Sequence, residues 1–320
     1  MTRSDADRAA IRAVLDALVV DGPATYCWLG QRYVAGGGAP GALVDAVAER
    51  LYWDFHCPGV PAPSIRSPRD REGWSGEPGE GGRSPSSGWS LVGVEDGELV
   101  VERDGLHLRA RRDDVVGAPD DLAPGAAVAV LVPSATPGTP GGFRTHLGEH
   151  GDGAEPGTPV DRHYWNARAE GREALAQALV PAMDEAGIPF RFKVLNDRMV
   201  RRRDAGVLYT RGADREAVTA VLRAVLPGVA RWLRDGTPPF TLARAPGVGF
   251  AEDPPGDLSF GEHRTRLLAD ALTRPAAWEP AGAAAREALV MRGLAAAGLE
   301  PGRMHANPGA GPAGDPTPLA

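Results

Sequence analysis

The chain carries a single lysine. Of its 35 Lys and Arg residues, one is Lys193 and the other 34 are arginine. A composition that turns to arginine wherever a cation is needed marks its one exception. Arginine keeps its proton at any pH a protein meets, whereas a lysine ammonium can be tuned into a base. Lys193 lies in Phe192-Lys193-Val194-Leu195-Asn196-Asp197, followed by Arg201-Arg202-Arg203-Asp204 and by Val207-Leu208-Tyr209-Thr210-Arg211. On a strand, Lys193 points away from Phe192 and Val194. Nearby arginines disfavour the charged ammonium and favour the neutral amine that a base requires. Three adjacent arginines have the donors to clamp a phosphate or carboxylate by bidentate contacts. The plainer reading is a solvated basic loop between two strands.

Two further groups have chemical potential. Ser259-Phe260-Gly261-Glu262-His263-Arg264 opens a helix read over 264–272, with Asp257 or Ser259 as the cap. A helix N-terminus with His263 and Arg264 beside it can hold an anion, or can be an ordinary capped helix. Asp161-Arg162-His163-Tyr164-Trp165-Asn166 reads as a short aromatic strand on which His163 or Tyr164 could serve as a general acid. A lone histidine is more often packed or on the surface. The seven histidines are dispersed, and the two cysteines, Cys27 and Cys57, make neither a disulfide framework nor a four-thiolate site. No metal is expected. Walker A, dinucleotide-binding, HExxH and GxSxG motifs are absent, and Gly247-Val248-Gly249 in a Pro-rich loop is not a cofactor motif.

The elements that must position these residues read as α+β. The spacing predicts helices over 5–20 and 41–56, separated by Gly36-Gly37-Gly38-Ala39-Pro40, and hence a helical subdomain over 1–57. Residues 58–88, rich in Pro, Gly, Ser and charge, read as a long loop. Short strands follow at 89–95, 98–103 and 106–112, punctuated by Asp96-Gly97 and Asp104-Gly105, a strong hairpin signal. Further strands are expected at 127–132, 141–148, 163–166, 189–195 and 206–210, with helices at 168–186 and 214–234. The body, 89–274, therefore reads as a mixed or antiparallel sheet with flanking helices. A C-terminal helical segment covers 275–306, and a disordered tail 307–320. Runs of strands and runs of helices favour α+β over a doubly wound sheet.

Composition bounds the class. Hydrophobic residues make up 42% and charged residues 24% of 320, ordinary for a soluble globular protein. No apolar run approaches the roughly 18 residues of a membrane span, and Met1–Arg8 is charged with no apolar stretch behind it. A cytoplasmic protein without membrane partners is expected. A net charge of −7 argues against nucleic acid as the main ligand.

At this point the sequence resembles a known family. Gly142-Phe143 with Leu147-Gly148, Arg162-His163-Tyr164-Trp165-Asn166, Pro189-Phe190-Arg191-Phe192-Lys193-Val194-Leu195-Asn196, Asp204-Ala205-Gly206-Val207-Leu208-Tyr209 and Ser259-Phe260-Gly261-Glu262-His263-Arg264 look like the HopA-type effector family. The tail Ala297-Gly298-Leu299-Glu300-Pro301 with Asn307-Pro308-Gly309 fits as well, while Phe143-Arg144-Thr145 departs from that family's aromatic-rich pattern. That family was first described among type III secreted effectors. It also has members in the biosynthesis of thioether-bridged ribosomal peptides, class V lanthipeptides and thioamitides. The Arg-, Gly- and Pro-rich composition favours the biosynthetic branch. The order of motifs is distantly similar to the phosphothreonine lyases and to the lyase domains of class III and IV lanthipeptide synthetases.

The resemblance implies a phosphoserine/phosphothreonine lyase that eliminates phosphate from a precursor peptide phosphorylated by a separate kinase, with no cofactor. It implies Lys193 as base, and His163 or Tyr164 as acid, with His263 a further candidate. Arg201, Arg203, Tyr209, Arg211, His263 and Arg264 would lie around the phosphate. Other readings are a non-catalytic scaffold that presents the peptide, a thioether cyclase component, and an effector-like protein.

Overall fold

The computed structural model describes residues 2–36, 39–58, 82–103, 106–116, 123–139, 142–153, 157–196, 201–275, 282–309 and 314–319. Helix α1 (Arg3–Ala17) starts on a capping box in which the Thr2 hydroxyl accepts from Asp5 N and the Asp5 carboxylate accepts from Thr2 N. Three short strands follow, β1 (Leu18–Gly22), β2 (Thr25–Trp28) and β3 (Gln31–Val34), forming an antiparallel sheet. Then come α2 (Ala42–Leu51) and a π-helical turn over Tyr52–His56. The N-terminal segment is thus not purely helical. Leu18 and Val20 continue the apolar spacing of α1 by coincidence, and they are buried as alternate residues of a strand.

The second sheet has the order β6-β5-β4-β8-β7, with β4 (Arg83–Glu95), β5 (Glu98–Arg103), β6 (Leu106–Ala110), β7 (Val115–Val116) and β8 (Ala127–Pro133). Strand β4 takes up residues 83–88 of the expected loop, because its Ser84 and Ser86 are buried against neighbouring structure. The Ser86 hydroxyl donates to Asp152, and Arg103 donates to both. The rest of that loop, 59–81, lies outside the described residues. Asp96 and Gly97 turn the β4–β5 hairpin with φ of 52° and 85°, as a two-residue type I′ loop requires. Asp104-Gly105 lies outside the described residues.

The seven-stranded sheet bears Lys193 and Tyr209. Its order is β14-β15-β11-β13-β12-β10-β9, with β9 (Ala135–Thr139), β10 (Phe143–Leu147), β11 (Val160–Trp165), β12 (Phe190–Leu195), β13 (Gly206–Arg211), β14 (Leu242–Ala245) and β15 (Val248–Glu252). Every pairing is antiparallel. Gly247-Val248-Gly249 sits at the β14–β15 hairpin, where Gly247 has φ of 73° and approaches the Arg234 carbonyl.

Helices α3 (Arg172–Glu185) and α4 (Arg215–Val229) cover one face of this sheet, where Leu175, Leu179, Met183 and Leu222 pack on Trp165, Phe190, Phe192 and Leu208. The other face meets α1, α2, α5 (Phe260–Thr273) and α6 (Ala283–Ala296) through Ile11, Leu51, Phe260, Leu268 and Leu294 around Tyr164, Val207 and Tyr209. The fold is α+β, with three antiparallel sheets and six α-helices among the described residues. No helix among them is long and apolar enough to cross a membrane. The tail expected to be disordered is seated over 314–319. Arg223 and Arg244 donate to the Pro318 and Thr317 carbonyls, and Leu319 is buried. Arginine donors satisfy an extended backbone that its own composition would leave solvated.

Candidate functional site: a cationic sheet face

Strand register decides which side chains meet, because residues directly opposite one another share a face. Arg162 and Arg191 both stand opposite Tyr209, Lys193 stands opposite Val207 on one side and Thr145 on the other, and Tyr164 stands opposite Val207. Arg162, Tyr164, Arg191, Lys193, Tyr209 and Thr145 therefore project from one face. Strands β11, β13 and β12, expected at 163–166, 206–210 and 189–195, lie side by side in that order.

Three cations surround the Tyr209 ring. The Arg191 guanidinium carbon lies 4.6 Å from its centroid, that of Arg162 5.0 Å, and Lys193 Nζ 5.5 Å. Each contact is a cation–π interaction worth roughly 0.5–2 kcal/mol. Of the three, only Arg162 has a carboxylate among the described residues, Asp253 at 2.5 Å. Neither Arg191 nor Lys193 forms an ion pair with a described residue. Arg162 Nε, Arg191 Nε and Thr145 Oγ1 are buried without hydrogen-bond partners. Buried donors without partners are costly. Burial alone would lower the pKa of Arg162, but Tyr209, Tyr164 and Asp253 outweigh it and hold the guanidinium above its ordinary value. Burial pushes the Tyr164 phenol up, against the pull of Arg162.

The π-helical turn forms a rim beside the face. Trp53 and Phe143 pack on Leu195, two residues beyond Lys193 on the same strand face. The middle arginine of the triplet, Arg202, is buried and turned to this rim. It donates to Asp204 at 2.8 and 2.6 Å, to Tyr52 Oη at 3.3 Å and to Cys57 Sγ at 3.2 Å. His56 packs where a Cβ on Gly261 would stand 2.4 Å from its ring, which explains the glycine in Ser259-Phe260-Gly261. Burial lowers the His56 pKa to about 4.

The remaining sequence candidates fall elsewhere. His163 points to the opposite face, fully buried, with Nε2 3.2 Å from Thr210 Oγ1 and Nδ1 3.5 Å from Arg244. Burial keeps it neutral, with a pKa well below its ordinary value. Arg264 is fully buried, and its donors go to the Met304 and Ala306 carbonyls at 2.8 and 2.7 Å and to His263 Nδ1 at 2.6 Å. It ties α5 to the C-terminal segment and does not join Tyr209. His263, lowered to about 4 by burial and then by Arg264, is that arginine's neighbour. Arg211 shares the Tyr209 face but is engaged by Asp214 at 2.7 and 3.2 Å. Arg201 is exposed and Arg203 half-buried. Lys193, Tyr164 and Tyr209 are the expected residues that come together.

Arg162, Arg191, Thr145 and Asp253 are the site residues that sequence reasoning passed over. Arg191 had a signal, since it lies two residues before Lys193 on a strand and so shares its face. Two concavities of about 430 Å³ each lie away from this cluster, around Arg244, Pro246 and Gly247 and around Leu226, Pro227 and Leu319. Among the described residues no group of three or more His, Cys, Asp or Glu side chains is placed to hold a metal ion.

Fold and site define an α+β protein whose central antiparallel sheet presents a lysine, two arginines and a tyrosine on one face. The model of the HopA1 effector protein family matches residues 141–305, which include all of these, and the chain belongs to that family. Its fold is similar in part to two solved effector proteins from Pseudomonas syringae. That of pathovar tomato strain DC3000 is 20% identical at a TM-score of 0.41, over 52% of this chain and 65% of that one. That of pathovar syringae strain 61 is 21% identical at 0.41, over 51% and 62%. The chain thus spans less than two thirds of either effector's length. Comparison with curated proteins gives no match.

Proposed function

We propose that the protein is a phosphoserine/phosphothreonine lyase of the biosynthetic branch of this family, acting in the maturation of thioether-bridged ribosomal peptides. Its substrate is a precursor peptide phosphorylated by a separate kinase. The observation that carries the reading is the one lysine of the chain beside two arginines on one sheet face, with no carboxylate on Lys193 or Arg191 among the described residues. A phosphate leaving group carries close to two negative charges, and Arg162 and Arg191 supply planar donors for it. Lys193 takes the α-proton. The electrons form the Cα–Cβ double bond, the Cβ–O bond breaks, and dehydroalanine or dehydrobutyrine results. Each charged hydrogen bond to the phosphate contributes about 1.5–3 kcal/mol.

The test is Lys193→Arg. It keeps a cation, so a phosphopeptide should still bind, but elimination should cease because arginine cannot serve as a base. Mass spectrometry of a phosphopeptide incubated with each form reads the loss of phosphoric acid. Parent-like conversion by Lys193→Arg would remove the general-base assignment and favour a peptide-presenting scaffold.

A further inference from the structure

We infer that Tyr209 is the proton donor to the leaving phosphate, a role the resemblance assigned to His163 or Tyr164. The inference rests on the lyase reading above and names the acid for it.

An acid must stand on the same face as the base, since the two act on adjacent atoms of one residue, and it must reach the substrate. His163 fails the first requirement. It points into the α3–α4 layer, and its ring nitrogens lie near Thr210 and Arg244. Tyr164 is on the right face but 2% exposed, with Phe260 at 6.2 Å closing over it. His263 lies against Arg264, whose other donors are spent on the 304–306 backbone. His56 is 2% exposed, its ring pressed against Gly261 of α5 and its Nδ1 sealed off without a partner.

Tyr209 meets both requirements. Its ring is the centre that the three cations share, so it lies wherever they hold a phosphate. Its hydroxyl makes no hydrogen bond to a described residue, and Tyr209 is 7% exposed against 2% for Tyr164.

The proton balance closes within the site. Lys193 takes the Cα proton and becomes an ammonium. As the Cβ–O bond breaks, the phosphate oxygen takes the electron pair and the Tyr209 proton. The phenolate then recovers a proton from Lys193, whose Nζ is 5.5 Å from the same ring. One proton has moved in sum from Cα to hydrogen phosphate, and both side chains return to their starting states.

The experiment uses the full chain and a set of peptides randomised around a central phosphoserine. Phosphate release, the binding constant and deuterium uptake at Cα in heavy water are read together. Tyr209→Phe should still bind the peptides and exchange the Cα proton, and at saturating peptide release phosphate about 10²–10⁴-fold more slowly, the range for loss of a general acid. Replacing Tyr209 by 3-fluorotyrosine, whose phenol is more acidic, should restore turnover and shift the alkaline limb of the pH–rate profile to lower pH. Parental turnover by Tyr209→Phe overturns the assignment. So does a loss that saturating peptide restores, or a limb that 3-fluorotyrosine leaves in place. A parent protein that releases no phosphate from any of these peptides overturns the lyase reading itself, which is a different failure.

Discussion

Replacing Asp204 by Asn removes the only carboxylate among the described residues that is hydrogen-bonded to Arg202, which donates to its two oxygens at 2.8 and 2.6 Å. Both side chains are more than nine-tenths buried. No neighbour among the described residues can take over the negative charge. Burial pushes the Cys57 thiol up, so it stays protonated, and it does the same to the Tyr52 phenol. His56 is neutral, with its pKa lowered to about 4. The variant therefore keeps an uncompensated guanidinium in the core, and Asp204→Asn should cost about 3–5 kcal/mol of stability, the usual consequence of breaking a buried ion pair. The double variant Arg202→Met/Asp204→Leu removes both charges and should recover most of that loss. The pH at which to measure follows from the shift. Burial raises the Asp204 pKa, but Arg202 outweighs it and the group lies below its ordinary value. Its contribution is then fully present above the unfolded carboxylate pKa of about 3.9 and is lost as pH falls through the folded value. Urea unfolding at pH 7, followed by tryptophan fluorescence, gives the midpoint and slope; Trp53 lies 5.7 Å from the Arg202 guanidinium as a local reporter. A cost below about 1 kcal/mol, or a double variant as unstable as the single one, would refute the account of this pair.

Arg191→Leu should change stability by no more than about 2 kcal/mol, since Arg191 forms no ion pair with a described residue and loses its cation–π contact with Tyr209. It should weaken phosphopeptide binding by about 1.5–3 kcal/mol, roughly 10–150-fold, read by fluorescence anisotropy; an unchanged binding constant would take Arg191 out of the clamp. His163→Asn should lower thermal stability, since it disturbs a buried contact with Thr210. Phosphate release at saturating peptide should stay within an order of magnitude of the parent. A fall of 10²–10⁴-fold, the signature of a lost general acid, would return the acid role to His163.

Much of the fold follows from patterns local enough to read along the chain. Asp96-Gly97 dictates a two-residue hairpin, because only a turn with both φ values positive matches the strand twist there. Alternation over 190–195 sets Phe190, Phe192 and Val194 against Arg191 and Lys193, and both sets emerge on opposite faces of β12. Ser259 and Glu262 spell out the start of α5 through their reciprocal cap. Composition alone singled out Lys193. What composition and period could not decide is which strand lies beside which and in what register. That registration puts Arg162 and Arg191 across from Tyr209, and it turns His163, one residue from Arg162, into the opposite layer. Arg264 looks like an anion ligand in sequence because its partners, the carbonyls of Met304 and Ala306, are 40 and 42 residues away and carry no side-chain signature. The seated tail is likewise held by distant partners, Arg223 and Arg244, so its structure belongs to the assembled protein. Residue chemistry is local, whereas the company a side chain keeps is set by chain closure over long separations.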